Sequence, residues 1–347
     1  MITKPLTLLA AESGCSVKAS PFELEQVLQH IKRDDQAFLD KRDAGTFFVN
    51  DELNFAQNID VITPVSDIPE VFGEIAVEHS LSDLYAVGAK PITGMLFLGF
   101  PLADVEIGTV SRILAGALER FERANIKFLK GHTIISTQLQ LGVAVTGIIS
   151  SSPISHIGSR PGDSIILTKP LGNGIVTTAL KFKNAGLISQ NIDEMVKYSE
   201  KQMLISNSIA SSIANQLGVN ACTDVSGFGL IGHLYEMLHY DRLSAEINFE
   251  DIPLIPGVLN LVSQSIYSGA SEKNAAYYWD SCEFNKLCHE EKLILFDAQT
   301  SGGLLITVSP DKEKALLAAL KRNGIETYAR IGIVTESSTR AIIILKK

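Results

Sequence analysis

Two segments of this chain place an acid or a hydroxyl beside closely spaced glycines at the edge of an apolar run. The first is Thr223-Asp224-Val225-Ser226-Gly227-Phe228-Gly229, running on into Leu230 and Ile231. The second is Asp297-Ala298-Gln299-Thr300-Ser301-Gly302-Gly303, running on into Leu304. Glycine lets backbone N–H groups come close to an anion. An aspartate beside such a loop commonly holds the magnesium that travels with nucleotide phosphates. The pair points to a phosphate-handling enzyme rather than a scaffold.

The chain has 347 residues, enough for two domains and a sizeable core. Hydrophobic residues make up 46% and charged residues 20%, a globular composition. A net charge of −9 argues against an extended nucleic-acid surface, which needs a basic stripe. No apolar run is long enough to span a bilayer. The apolar stretch near Leu8 and Leu9 is too short, with too little basic charge before it, for a signal peptide. Cys15, Cys222, Cys282 and Cys288 are irregularly spaced, which suits free or catalytic thiols in a reducing cytosol. A cytoplasmic location is therefore expected. Cys282 with Cys288-His289 fits no zinc pattern.

Residues 1–19 read as loop. Ser20 caps a helix, with Pro21 at its first position and Glu23 completing a capping box. Strands are expected at 58–63, Thr93–Phe100 (buried) and Gln140–Ile149. Helices are expected at 69–87, stopped by Gly88, and at Asp104–Ala124. A strand at Ile126–Leu129 leads into a turn at Gly131-His132-Thr133. Ser150-Ser151-Ser152-Pro153 marks a boundary. Beyond it, strands are expected at Ser164–Thr168, Cys222–Asp224, Leu304–Val308 and Ala341–Leu345. Helices are expected after the 169–174 turn, through most of Asp193–Leu217, and at Gly229–His239 and Asp311–Arg322. This alternation gives an α/β or α+β protein: a flexible segment 1–19, then domains 20–153 and 154–347.

Four aspartates adjoin turns or element ends. Asp60 lies in an otherwise apolar strand and Asp224 in the glycine loop, and a buried carboxylate is costly unless paired or metal-bound. Asp43 and Asp83 read equally as solvated surface acids or as ligands. Asp83 follows His79 by one helical turn, on the same face. Cys15 and Lys18 lie three apart after Gly14, so the lysine either activates the thiol or reaches a transferring phosphoryl group. The Gly131-His132-Thr133 turn offers N–H groups and a hydroxyl to a phosphate.

Further segments carry a family resemblance: Thr168-Lys169-Pro170-Leu171-Gly172, Ser82-Asp83-Leu84-Tyr85-Ala86-Val87-Gly88-Ala89-Lys90-Pro91, Ile252-Pro253-Leu254-Ile255-Pro256-Gly257 and Val145-Thr146-Gly147. Together with the two glycine segments they resemble selenophosphate synthetases (selenide, water dikinases), over nearly the whole chain. That family sits in a superfamily with aminoimidazole ribonucleotide synthetase and thiamine-monophosphate kinase. The resemblance implies a two-domain architecture of the aminoimidazole ribonucleotide synthetase type. Its N-terminal domain would bind ATP and form a homodimer through a shared β-barrel-like interface, and its C-terminal domain would be α+β. The implied reaction turns ATP, selenide and water into selenophosphate, AMP and phosphate, with Mg²⁺ as cofactor. Whether selenide is used free or brought by a delivery protein stays open.

The family's Gly-Cys-x-x-Lys segment matches Gly14-Cys15-Ser16-Val17-Lys18, which implies catalytic roles for Cys15 and Lys18. Its magnesium- and phosphate-binding aspartates match Asp43, Asp60, Asp83 and Asp224. The resemblance implies that Asp43, Asp83 and Asp224 hold metal. It also implies that Lys18, Asp43, Asp60, Asp83, Gly131, His132 and Thr133 contact the nucleotide. The chain departs from the pattern in several places. His79 replaces an asparagine, Asn58-Ile59 replace two threonines before Asp60, Lys130 replaces a glycine, and Val17 replaces a frequent second cysteine. These departures leave two alternatives: a nucleotide-binding paralogue with a regulatory or assembly role, and a phosphotransferase for another small molecule.

Overall fold

The computed structural model describes residues 4–29, 43–50, 53–150, 153–337 and 343–347. Helix α1 (Pro21–Gln29) opens with the expected capping box: Ser20 N–H donates to Glu23 Oε2 at 2.8 Å, and Glu23 N–H donates to Ser20 Oγ at 3.3 Å. A five-stranded sheet follows, built from β1 (Gly45–Asn50), β2 (Leu53–Ile62), β3 (Lys90–Phe100), β4 (Lys127–Ile135) and β5 (Gln140–Ile149), in the order β1-β2-β5-β3-β4. All neighbours are antiparallel except β3 and β4, which are parallel.

Helices α2 (Pro69–Ala86) and α3 (Ile107–Arg123) cover one face of this sheet. Alternation along the strands decides what they cover. Leu96 and Leu98 of β3 and Leu141, Val143 and Val145 of β5 point into the core beneath the helices. Met95 and Ile59 point the other way and are 46% and 66% exposed, so the strand expected to be buried around residue 95 is buried on one face only. Every residue of β4 is exposed. The turn expected at Gly131-His132-Thr133 is instead regular strand inside β4, because these residues pair in register with Leu96-Phe97-Leu98. The sheet is open: within the described residues it does not close into a barrel.

In α3, Val110, Ile113, Ala117 and Phe121 form one buried stripe. Its arginines grip the acids of α2: Arg112 meets Glu70 in a two-pronged contact at 2.6 and 2.8 Å, Arg123 meets Glu74 at 2.7 Å, and Arg120 meets Glu78. α2 is buried almost all round, which places Glu78, His79, Ser82 and Asp83 inside the protein.

A second sheet has seven strands: β6 (Ser164–Leu167), β7 (Ala221–Asp224), β8 (Leu243–Asn248), β9 (Cys282–Phe284), β10 (Leu304–Val308), β11 (Ala329–Glu336) and β12 (Ile343–Lys346). They run in the order β7-β10-β6-β11-β8-β12-β9. Both faces are covered, so every residue of β6 and β10 is buried. Ile165 and Leu167 face a core shared with α4 (Asn173–Asn184), α7 (Gly229–His239), α8 (Val258–Ser263), α9 (Gly269–Tyr278) and α10 (His289–Leu295). Ile166 faces a second core with α6 (Ser208–Leu217) and α11 (Pro310–Arg322). The helical stretch expected over Asp193–Leu217 divides into α5 (Asp193–Leu204) and α6. β1, β8, β9 and β11 and helices α8, α9 and α10 were not expected.

The first residues differ from expectation. Residues 4–19 lack long elements but are packed down, not free. Leu6, Leu9 and Cys15 are buried in the core of the first sheet. Lys181 of α4 donates to the Ala10 carbonyl at 2.6 Å, and Asn184 donates to Thr7 Oγ1 at 2.8 Å. α1 leaves the first sheet and lies against α9, where Tyr277 meets Glu25 at 3.4 Å.

Candidate active site

The two glycine segments pack on each other. β7 and β10 are antiparallel neighbours with Asp224 opposite Leu304. Beyond the strands, Val225 N–H donates to the Gly303 carbonyl and Gln299 N–H donates to the Ser226 carbonyl, both at 2.9 Å. A Cβ on Gly302 would stand 2.0 Å from the Val225 carbonyl oxygen. That glycine is needed for backbone to meet backbone, rather than for an anion.

Three carboxylates converge beside this junction. Asp43 precedes β1, Asp83 is near the end of α2, and Asp224 ends β7. Each offers an oxygen, and these oxygens lie within 4.8 Å of one another. Thr223 donates to Asp43 Oδ1 at 2.6 Å. Among the described residues, Asp43 Oδ2 and both oxygens of the buried Asp224 have no hydrogen-bond partner. Unpartnered buried carboxylate oxygens are costly. Burial, then the Asp224 charge, holds Asp43 and Asp83 well above the usual carboxylate range. A hard divalent cation is the partner such a set fits.

Asp60 of β2 has a different environment. Burial opposes its charge, but the Lys18 ammonium holds it well below the usual carboxylate range. Lys18 Nζ is 2.9 Å from Asp60 Oδ1, and Asn58 donates to Oδ2 at 2.8 Å. Asp60 and Asp83 also lie within side-chain hydrogen-bonding reach of each other, a contact that favours charge on Asp60 and opposes it on Asp83. One continuous chain therefore links Lys18 to the three converging acids.

Cys15 sits in a short 3-10 turn over the same place. Gly14 enters it at φ 57, and a Cβ there would stand 2.2 Å from Thr300 Oγ1. Cys15 N–H donates to that same hydroxyl at 3.1 Å. The sulfur lies 2.9 Å from His79 Nε2, and His79 Nδ1 accepts from Ser301 N–H at 3.2 Å. Burial resists charge on the ring, but the Cys15 sulfur and Asp60 outweigh it and push its pKa up to about 9. The Ser301 N–H works against a second ring proton, and this geometry favours the neutral ring with hydrogen on Nε2. Behind Ser301, Lys169 donates to its carbonyl at 2.8 Å, and burial lowers that amine to about 8.

The structure thus brings Cys15, Lys18, Asp43, Asp60, Asp83 and Asp224 together. It does not bring Gly131, His132 and Thr133 to them. β5 and β3 lie between β2 and β4, a separation of about 14 Å at the usual strand spacing. Two departures from the family pattern also sit elsewhere. Ile59 faces away from the side of β2 that carries Asp60, and Lys130 lies on exposed β4. Thr223, Thr300 and Ser301 were read only as parts of motifs. Their partners at the site, Asp43, Cys15 and His79, lie more than a hundred residues away, beyond any local signal.

Comparison with known proteins shows the family and the fold. Residues 41–149 match the family model "AIR synthase related protein, N-terminal domain", and residues 160–344 match "AIR synthase related protein, C-terminal domain". The selenide, water dikinase of Carboxydothermus hydrogenoformans is 36% identical over 345 residues, covering 97% of this chain and 98% of that protein. That of Pelobacter propionicus is 34% identical over 346 residues, covering 98% of each. Among solved structures, AaThiL complexed with AMPPCP and TMP superposes with a TM-score of 0.64 at 18% identity, covering 93% of both chains. The likeness to that structure is one of fold. With full-length identity above 30% and both domain models matched, this chain belongs to the selenide, water dikinase family.

Proposed function

We propose that this protein makes selenophosphate from selenide and ATP, with Mg²⁺, and releases AMP and phosphate. The observation that carries this reading is the placement of a cysteine and a lysine against a buried set of acids. Cys15 and Lys18 meet His79 and Asp60, and Asp60 leads through Asp83 to Asp43 and Asp224. A fold neighbour described as complexed with AMPPCP and TMP supports a nucleotide in this fold.

Asp43, Asp83 and Asp224 would hold Mg²⁺, which when bound neutralises phosphate charge and stabilises the transferring phosphoryl group. Lys18, now paired with Asp60, would exchange that contact for a phosphate oxygen. Cys15, held from Thr300 and His79, faces the selenide side of the reaction. The packed segment 4–19 limits water around it.

The acting unit is a homodimer in this reading. The open face of the first sheet and its edge strand expose Ile59, Met95, Phe128, Leu129 and Ile135. An apolar surface of that extent marks an interface. The site-lining role expected for Gly131, His132 and Thr133 then belongs to contacts between two copies.

Anaerobic turnover with and without selenide tests the reading. Selenide-dependent AMP together with a new phosphorus resonance supports it. ATP binding with no selenide-dependent AMP refutes it and leaves a nucleotide-binding paralogue.

A further inference from the structure

His79 is fully buried on α2, between the Cys15 turn and the segment Thr300–Gly303. Its two ring nitrogens meet different kinds of partner. A backbone N–H can only donate, so Nδ1, 3.2 Å from the Ser301 nitrogen, is the acceptor. The ring hydrogen then sits on Nε2 and points at Cys15 Sγ, 2.9 Å away.

Ser301 is not free to reorient. It holds φ 50, an uncommon conformation for a residue with a side chain. Its hydroxyl donates to the Met203 carbonyl at 2.6 Å, and its carbonyl accepts from Lys169 at 2.8 Å. With those groups engaged, its N–H stays aimed at the ring. Surroundings that over-determine a residue in this way are typical where strain is tied to function.

The arrangement is not a nucleophile–base triad. In a triad the acid holds the ring nitrogen remote from the nucleophile. Here Asp60 Oδ1 approaches Nε2, at 3.8 Å, the nitrogen that also meets the sulfur. The remote nitrogen faces a backbone donor that cannot take a proton. A ring held this way orients the sulfur.

We propose that His79 is a positioning residue for Cys15, its Nε2–H fixing the sulfur in the one rotamer that serves the selenide-dependent step. The proposal rests on the reading of the chain as a selenophosphate-forming enzyme. A cysteine side chain has one rotatable bond and three staggered wells. The Thr300 hydroxyl fixes the main chain of Cys15, and His79, locked by the next residue, fixes its side chain. Both are therefore set from the same two residues of the glycine segment.

Two variants separate the two hydrogen bonds of the ring. In His79→Asn the amide oxygen still accepts from Ser301, but the side chain is too short to reach the sulfur. In His79→Gln the amide NH₂ reaches the place of Nε2 and donates to the sulfur. Selenide kcat/KM, Mg²⁺–ATP affinity and the Cys15 S–H vibration, taken as wild type minus Cys15→Ser, are measured for each. In His79→Asn, kcat/KM for selenide is expected to fall by about tenfold or more, with ATP affinity within about twofold. His79→Gln is expected to recover most of the loss. In the wild type, the Cys15 vibration is expected to differ from that of the unfolded chain. It should shift in His79→Asn and return in His79→Gln.

Full selenide kcat/KM in His79→Asn, or equal impairment in His79→Gln, overturns the proposal. So does a wild-type Cys15 vibration matching the unfolded thiol, a result that needs no variant at position 79 to fold. If the wild type gives no selenide-dependent AMP, the functional reading fails by itself. The vibration then still decides whether His79 holds the sulfur.

Discussion

Lys18 reaches from the Cys15 turn to Asp60 in the middle of β2, with Nζ 2.9 Å from Oδ1. It is the cation that lets this carboxylate stay ionised beside Asp83. Replacing it tests how the site balances charge. Lys18→Met leaves Asp60 facing the other acids without a counter-charge. The variant is expected to melt below the wild type without Mg²⁺, and to be stabilised by Mg²⁺ more than the wild type is. Turnover is expected to fall by about a hundredfold. Thermal melts with and without Mg²⁺ check this. An Mg²⁺ response equal to that of the wild type would contradict it.

Asp224 brings to the cluster two oxygens with no hydrogen-bond partner among the described residues. Asp224→Asn is nearly isosteric and removes the charge that raises Asp43 and Asp83. The metal-free variant is expected to be at least as stable as the wild type, by up to about 1 kcal/mol, while its melting point no longer responds to Mg²⁺. If the variant unfolds yet retains its Mg²⁺ response, Asp224 is not a ligand.

The pH dependence has a definite sign. Asp43 and Asp83 have folded values well above their ordinary 3.8. Between the unfolded and folded values the folded state binds more protons than the unfolded one. Their contribution to stability is therefore fullest at low pH and is lost as pH rises through that window. A cation reverses this, because it needs the ionised acids. The Mg²⁺-induced rise in melting temperature is expected to be near zero around pH 4 and to grow toward neutrality. A rise that does not change with pH would count against the cluster as the site.

Ile59 and Ile135 are 66% and 71% exposed on the first sheet. Lysine at either position leaves the core untouched but places charge on the proposed dimer face. Sedimentation is expected to show monomers for Ile59→Lys and Ile135→Lys, with wild-type far-ultraviolet circular dichroism. Dimers of unchanged strength would place the interface elsewhere.

Local signals in the sequence located many elements. The Ser20–Glu23 capping box formed as read. Helix 229–239 and strand Gln140–Ile149 begin and end as expected. Each is signalled by its own caps or apolar period. β11 escaped because its pairing with β6 is interrupted at Arg330/Gly332 and its apolar pattern is broken. The glycine pairs were legible as special positions but not as backbone packed on backbone, since that needs a partner segment. Family resemblance pointed to Asp43, Asp60, Asp83 and Asp224, and residue chemistry alone favoured only Asp60 and Asp224. Cys15 and His79 are 64 residues apart, and His79 and Ser301 are 222 apart. No spacing rule connects them. His79 appeared in the sequence as a neighbour of Asp83 on one helix face and as a departure from the family pattern, and its geometry gives that departure a role.

The mutual packing of Val225–Ser226 with Gln299–Gly303, and the hanging of Cys15 from Thr300, bear on how such a chain can be recombined. The segment carrying the thiol belongs by sequence to one half, and the hydroxyl and amide that orient it belong to the other. A hybrid that joins the first sheet of one relative to the second sheet of another would inherit both folds. It would work only if the parents agree at 14–18, at 79 and at 299–303 together. Exchange at the linker after β5 is thus permitted by topology and constrained by three short stretches of sequence that must travel as one.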